Sequence, residues 1–329
     1  MLLAGDIGGT KTSLAVYEIE HSLGSPFTQV TYPSAQYESL EALVATFLAE
    51  TGLPIEQAVF GVAGPVLGGR ATITNLPWDI SAEHLSRHFG FTTVHLLNDL
   101  EAIAVAIPVL ADEDLMLLHA GSAVCDGNIA VIAPGTGLGE AFLTREGAFY
   151  QAHPSEGGHS DFAPATPLQA ELWNYLSAGS EHVSFERVCS GLGMPNLYRF
   201  LRDTGRGSEP EWLTRQLAQV SDPTPIIVNA ALDRNRPSSL CIETLKLFAS
   251  ILGGEAGNLA LTVMATGGVY VAGGIPPRIL PFLTDGIFEQ AFCRKGRLSS
   301  LVEPIPVYAV LNRHVALLGA AQFGLQQLA

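Results

Sequence analysis

The sequence predicts an α/β protein of two domains. Three observations carry this prediction. The chain has 329 residues, 47% apolar and only 15% charged, which is enough for two separate cores. Apolar runs of strand length alternate with helical patterns along the chain. An apolar strand, a Gly- and Thr-containing turn and a returning strand occur at the start and again about 125 residues later, a weak internal repeat of fold.

The elements follow in order. Leu2 to Ile7 is an apolar run and reads as a strand. Gly8-Gly9-Thr10-Lys11 is a turn, and Thr12 to Ile19 returns as a strand rich in β-branched and apolar residues. Ser39 to Glu50 has helical spacing, with Leu40, Leu43, Val44 and Phe47 on one face. Ala58 to Ala63 is a strand ending at Gly64-Pro65, and Arg70 to Thr74 another, ending at Asn75. Ser81 to Phe89 is a helix with Ser81 as N-cap. Thr93 to Leu97 is a strand, and a helix runs from Asn98 to about Ile107, where Pro108 ends or kinks it.

The pattern then restarts. Asn128 to Ala133 is an apolar strand, Gly135 to Gly139 a turn, and Glu140 to Thr144 the returning strand. A polar stretch from Asp203 to Pro225 reads as a surface excursion around one helix, Glu211 to Val220. Helices follow at Ile226–Leu232 and Ser239–Gly253. Gly268 to Ala272 is a strand opening into Gly273-Gly274, with a helix from Pro277. The last helix, Val315 to Leu328, has no partner in the second half and is expected to pack back on the first domain. The expected division is a small domain of residues 1–109 plus 312–329 and a large one of residues 110–311.

Composition excludes several classes. A net charge of −15 makes nucleic acid or an anionic membrane an unsuitable partner. Any bound phosphate would have to be held by backbone N–H groups, a metal ion and a single Lys. The four cysteines, Cys125, Cys189, Cys241 and Cys293, are far apart in sequence, so they read as buried reduced thiols rather than a zinc site or disulfide framework. The start, Met1-Leu2-Leu3-Ala4-Gly5-Asp6, has no basic or long apolar region of a signal peptide. From Gly257 to Pro277 no residue is charged, a length that could cross a bilayer. Its Gly-Gly and Pro-Pro pairs instead read as a buried helix, a turn, a buried strand and a second turn.

Three glycine turns carry the candidate chemistry. Gly5-Asp6-Ile7-Gly8-Gly9-Thr10-Lys11-Thr12 is a near miss to a P-loop, with Thr10 in place of the last Gly. A P-loop leads into a helix, whereas Ser13 to Tyr17 is extended. The alternative is a hairpin tip whose N–H groups face phosphate, with Asp6 holding Mg²⁺ directly or through water. An ordinary Gly-rich hairpin with Asp6 as a turn residue would give the same pattern. Gly135-Thr136-Gly137-Leu138-Gly139 is too short for a Rossmann loop and is followed by a strand. The two tips could cradle a phosphate chain from both sides. At Gly273-Gly274 a buried strand opens into a turn without Cβ atoms, where a flat adenine ring could approach the backbone. Helix–strand packing would also account for it.

Taken in order, the blocks Asp6-Ile7-Gly8-Gly9-Thr10, Leu97-Asn98-Asp99-Leu100-Glu101-Ala102, Pro134 to Gly139, Glu156-Gly157-Gly158-His159, Phe185 to Gly191 and Ala272 to Ile275 resemble the actin–hexokinase class of ATPases. More narrowly they resemble the bacterial glucokinase family, over nearly the whole chain. The resemblance implies an actin/hexokinase-like (ribonuclease H-like) α/β fold with mixed sheets and an interdomain cleft. It implies a cytoplasmic, typically homodimeric enzyme that transfers the γ-phosphoryl of ATP, with Mg²⁺, to the 6-hydroxyl of glucose. It also implies that Asn98, Asp99, Glu156, His159 and Glu186 contact the sugar and that Asp99 is the base. A kinase of another hexose, or a sugar sensor of the same fold, are the alternatives, and Asp99 disfavours the sensor. The related ROK group shares the Asp-Ile-Gly-Gly-Thr-Lys start but carries a Cys-rich zinc motif, and residues 160–185 here contain no Cys.

The residues themselves are consistent with a sugar site. Asn98-Asp99 lies where a strand meets a helix, a usual place for ligands. Asp, Asn and Glu offer planar bidentate partners for adjacent hydroxyls. The helix dipole is expected to keep Asp99 ionised at pH 7, making it a weak base suited to late proton loss. A simple helix cap remains an alternative for this pair. Two glycines inside Glu156-Gly157-Gly158-His159 argue against a helical metal pair and for a loop. Glu186, two residues after Ser184, reads as lying at a helix start.

Overall fold

The computed structural model describes residues 1–18, 25–73 and 76–327. The chain groups into two compact units, residues 1–111 with 145–154 and 312–329, and residues 112–144 with 155–311.

In the first unit β1 (Leu2–Ile7) and β2 (Lys11–Tyr17) pair as an antiparallel hairpin. β3 (Thr28–Pro33) pairs on the outside of β2. Ser39 caps α1 (Leu40–Thr51), its hydroxyl accepting the Ala42 N–H, and Gly52 closes the helix in the left-handed region. β4 (Gln57–Val62) follows, then β5 (Val66–Leu67), β6 (Arg70–Thr72) and β7 (Asp79–Ser81), which form a small sheet of their own. Ser81 caps α2 (Ala82–Phe89). β8 (Thr93–Asn98) runs directly into α3 (Asp99–Ala106). The main sheet has the order β3-β2-β1-β4-β8, with β1, β4 and β8 parallel. One of its faces buries Leu3, Ile7, Leu14 and Phe60 against Leu43 and Phe47 of α1. Each such side chain contributes about 1.5–3 kcal/mol.

The second unit contains β9 (Leu115–His119), β10 (Ile129–Pro134) and β11 (Leu138–Glu146). β12 (Phe149–Ser155) is followed by a single 3₁₀ turn at Gly157–His159. Helices α4 (Pro167–Ser177), α5 (Met194–Asp203), α6 (Glu211–Leu217) and α7 (Thr224–Leu232) lead to the long α8 (Ser239–Val263). β13 (Gly268–Val271), α9 (Leu280–Leu283), α10 (Ile287–Cys293), α11 (Ser299–Val302) and β14 (Val307–Val310) complete it. Within this unit the sheet runs β11-β10-β13-β14-β9. β10 is antiparallel to β11 and parallel to β13, as β1 is to β2 and β4, so the weak repeat seen in sequence is a repeat of topology. The last helix, α12 (Val315–Gln326), belongs to the first unit. Its Ala316, Leu317, Ala320 and Ala321 cover Leu2, Ala4, Val59 and Leu97 on the second face of that sheet, beside Ala102 of α3.

Several expectations are corrected. The helix expected to stop at Gly253 continues to Val263. Two of its three glycines, Gly253 and Gly257, are contact points where the backbone of α10 at Phe288 and Phe292 leaves no room for a Cβ. The helix expected to reach Val220 ends at Leu217. The turn expected over Gly135 to Gly139 is confined to residues 135–137, because β11 already begins at Leu138. The helix expected from Pro277 is a 3₁₀ turn, Pro276–Arg278, followed by the short α9. Cys125 is exposed, unlike Cys189 and Cys241, which are buried. Ile19, Thr74, Asn75 and Leu328, where three elements were expected to end, lie outside the described residues. Among the described residues no helix is long and apolar enough to cross a membrane.

Candidate active site

Two sets of candidate residues form, one in each unit. In the first unit Asp6 is near the C-terminal end of β1, and Asn98 ends β8. The register aligns Asp6 with Gly61 of β4 and Val62 with Asn98, so the acidic and amide groups share one edge of the parallel sheet. Gly61 is what lets α3 descend onto this edge. A Cβ there would stand 3.0 Å from Ala102 Cβ and 4.0 Å from Asp99 Cα. Sequence reading passed over Gly61, although a lone glycine inside a strand signals close backbone approach.

Asn98 caps α3. Its Oδ1 accepts the Leu100 N–H at 3.0 Å while its Nδ2 donates to Gly64 O at 3.0 Å. The Leu100 N–H is shared with Asp99 Oδ1 at 2.9 Å. Asp99 is nevertheless held above the ordinary carboxylate range. Burial raises it, and the hydrogen bonds from the Leu100 and Asp99 backbones and from Asn98 only partly offset this. The expectation of a simply dipole-stabilised anion is therefore corrected: desolvation outweighs the helix terminus, leaving a better base than a free carboxylate. Asp6 is raised to about 6, by burial first and by the Asp99 charge second.

The tip bearing Gly8, Gly9, Thr10 and Lys11 is braced from β3's end. Gly8 N–H donates to Lys11 O at 3.0 Å. Ser34 donates its N–H to Thr10 O at 3.0 Å and its hydroxyl to Gly8 O at 2.7 Å. Ser34 gave no signal in sequence, since its role arises from the pairing of β3 with β2.

In the second unit three segments lock together. Glu186 N–H donates to Gly158 O at 2.8 Å, and Leu138 N–H donates to Glu186 Oε2 at 3.0 Å. His159 Nδ1 lies 4.0 Å from Glu186 Oε1. A Cβ on Gly137 would overlap that same Glu186 carboxylate. Glu186 is thus not at a helix start as expected. It sits in a turn after a bridge between Asp161 and Ser184, and it fastens the Gly135-Thr136-Gly137 tip to the Glu156–His159 turn. Further along, Gly191 N–H and Leu192 N–H donate to Gly135 O and Thr136 O at 2.8 and 3.1 Å. Glu156 and His159 are exposed and able to meet a ligand. Gly273, with φ of 89°, lies against Pro134 O, which sets the Gly273-Gly274 turn beside the 135–137 tip. Gly135 and Gly274 face open space.

These groups fit a metal–nucleotide complex. Two half-buried carboxyl groups at one sheet edge, one of them raised to about 6, are short of positive charge. Mg²⁺ keeps several waters and takes one or two carboxylates plus phosphate oxygens, a demand that a single carboxylate such as Asp6 would meet. Among the described residues no group of three or more His, Cys, Asp or Glu could hold a metal.

Comparison with known proteins identifies the family. The glucokinase family profile matches residues 3–327. A glucokinase from Nostoc punctiforme is 41% identical over 335 residues, 98% of each chain. The structure of a glucokinase from an Antarctic psychrotroph superposes with a TM-score of 0.84 at 32% identity, covering 98% of both chains. A ROK family glucokinase from Streptomyces griseus, in complex with glucose and AMPPNP, shares the fold with a TM-score of 0.64 at 21% identity over 98% of both chains. The mixed α/β architecture is that of the sugar kinases of the actin-like ATPase fold, and the chain belongs to the glucokinase family.

Proposed function

We propose that the protein transfers the γ-phosphoryl group of ATP to the 6-hydroxyl of glucose, giving glucose 6-phosphate and ADP. The observation that carries this reading is Asp99, a half-buried carboxylate of raised proton affinity at the head of α3, in a chain of the glucokinase family. Asp99 takes the proton of the 6-hydroxyl as its oxygen bonds to phosphorus. The transition state is loose, so the proton leaves late and positioning matters more than a strong base. Asn98, Glu156, His159 and Glu186 hold the remaining hydroxyls of the same sugar. Their carboxylate, amide and imidazole groups supply paired donors and acceptors.

The Gly8–Lys11 and Gly135–Gly137 tips hold the phosphate chain through backbone N–H groups, with Lys11 as the one side-chain cation. Gly273-Gly274 lets the adenine lie against backbone. Asp6 holds Mg²⁺, which when bound neutralises charge on the transferred phosphoryl group. This arrangement answers the problem posed by a chain of net charge −15 that handles an anion. The reading includes a cytoplasmic homodimer, which sedimentation of the purified protein tests.

An ADP-release assay with a panel of sugars is the decisive experiment. Glucose is expected to be the best acceptor, with mannose, galactose and 2-deoxyglucose clearly poorer. An inverted or missing hydroxyl leaves a polar group unpaired, which discriminates by up to roughly 10⁴-fold. Equal kcat/KM for glucose and mannose would reassign the substrate, and no ADP release with any sugar would point to a sensor.

A further inference from the structure

Glu140 takes no part in the chemistry above, yet the sugar-facing turn rests on it. It lies on β11, paired in register with Ile132, and is 2% exposed. Its Oε1 has no hydrogen-bond partner, an expensive state for a buried oxygen. Its Oε2 occupies the space where a side chain of residue 157 would begin, so Gly157 can only be glycine while Glu140 is there. Close to it stands Glu255 on α8, 5% exposed, and its charge adds to burial in raising the proton affinity of Glu140.

The surroundings do not supply enough charge for two anions. Glu255 accepts from Asn258 Nδ2 at 2.9 Å. Lys295 is the nearby cation, its Nζ donating to Gly254 O at 2.7 Å and Asn258 Oδ1 at 2.6 Å. Burial lowers the proton affinity of Lys295, Glu255 partly offsets this, and the Arg294 charge adds to the lowering. The Cys189 thiol faces both carboxylates and is pushed well up by burial and by their charge, so it stays neutral. Burial, then the neighbouring Glu255, pushes Glu140 up to about 8. At neutral pH the pair therefore carries one proton between its two carboxyls.

We propose that the Glu140–Glu255 carboxyl pair is a positioning device that sets the seat of the Gly157–His159 turn, and with it Glu156 and His159. The inference rests on the reading of those two residues as sugar ligands. While the pair shares its proton, it is compact and Gly157 lies directly on Glu140. Loss of that proton puts two like charges in the interior. The carboxylates separate, and the residue pressed against Glu140 Oε2 is Gly157, whose turn gives way. Glucose affinity then falls in alkaline solution more than ATP affinity does, because the 135–137 tip is also held by the Gly191 and Leu192 N–H groups.

Calorimetric titration of the full chain with glucose, and separately with ATP, between pH 6.5 and 9.5 tests this. For the native protein we expect glucose Kd to rise at least about tenfold, the loss of roughly one good hydrogen bond, with a midpoint near 8 as Glu140 ionises. ATP Kd should rise less. Glu140→Gln keeps the shape of the side chain without its ionisable carboxyl, so its glucose Kd should match the native value at pH 7 and lose the alkaline midpoint. Glu140→Ala, checked by circular dichroism, should weaken glucose at pH 7 more than ATP. A midpoint that persists in Glu140→Gln, or equal loss of both ligands in Glu140→Ala, overturns the inference. Native protein that binds glucose without any alkaline change overturns it alone, whereas native protein that binds no glucose at any pH overturns the sugar-ligand reading beneath it.

Discussion

Asp6→Asn is expected to make the ligand-free protein more stable and the enzyme close to inactive. The Asp6 carboxyl is raised from 3.8 to about 6, by burial and then by Asp99. The folded protein thus holds this proton more tightly than the unfolded chain does. The stability linked to the neutral form is present in full below pH 3.8 and is lost as pH rises through about 6. At pH 7 the ionised side chain then costs about 3 kcal/mol, at 1.36 kcal/mol for each pH unit. Asparagine has the same shape and no charge, so the variant should gain about 1–3 kcal/mol at pH 7.5, less where its new N–H₂ lacks an acceptor. Its stability should also change less between pH 4.5 and 6.5. Urea unfolding at pH 4.5 and 7.5, without metal or nucleotide, measures both. The same variant should lose at least about 10²-fold in turnover, because the group proposed to hold Mg²⁺ is gone. A variant less stable than the native protein at pH 7.5 would refute the reasoning, since Asp6 would then be a stabilising anion and not a strained one.

Four further outcomes are expected. Asp99→Asn should lower kcat by about 10²–10⁴-fold with glucose Kd little changed, because the side chain keeps its hydrogen-bonding shape and loses its proton acceptance; turnover and calorimetry together check it. The acid limb of kcat/KM should lie nearer neutrality than an ordinary carboxylate would put it, because Asp99 is raised and Asp6 stands at about 6; both must be ionised to act, so activity falls as pH drops through that range. Gly61→Val should push α3 off the sheet edge, cost about 1–3 kcal/mol in thermal denaturation, and reduce kcat by displacing Asp99. Gly8→Val should weaken ATP more than glucose, since an added Cβ would stand 2.9 Å from Lys11 O at the tip, whereas Gly137→Val should weaken both, since it strikes Glu186; separate titrations tell them apart.

Much of the local structure around the candidate residues was readable from sequence because they come in short local blocks. Asn98-Asp99, the two glycine tips and the Glu156–His159 turn each announce themselves by a spacing that local backbone geometry demands. Glu186 was identified by resemblance but misplaced, because a Ser two residues ahead of a Glu imitates a helix start. Its real setting depends on a bridge between Asp161 and Ser184, which no local pattern encodes. Ser34, Gly61 and Glu140 escaped for the same reason: each acts on a residue distant in sequence. The extent of α8 was misread because two glycines that look like breakers are points of helix contact. Asp99's proton affinity was misjudged since the dipole is visible in sequence and the degree of burial is not.

The place of α12 has a consequence for how the chain becomes an enzyme during synthesis. Leu2, Ala4, Val59 and Leu97 leave the ribosome well before the helix that shields them from water, Val315–Gln326. Residues 112–144 and 155–311 are all made before it. A nascent chain halted ahead of Val315 should therefore hold a protease-resistant second unit beside a first unit with an open apolar face. Proteolysis of stalled nascent chains would reveal this as early protection of the middle of the chain and late protection of its beginning. Asp99 stands on α3, which rests on α12, so the proposed proton acceptor gains its firm footing only when Val315–Gln326 is in place.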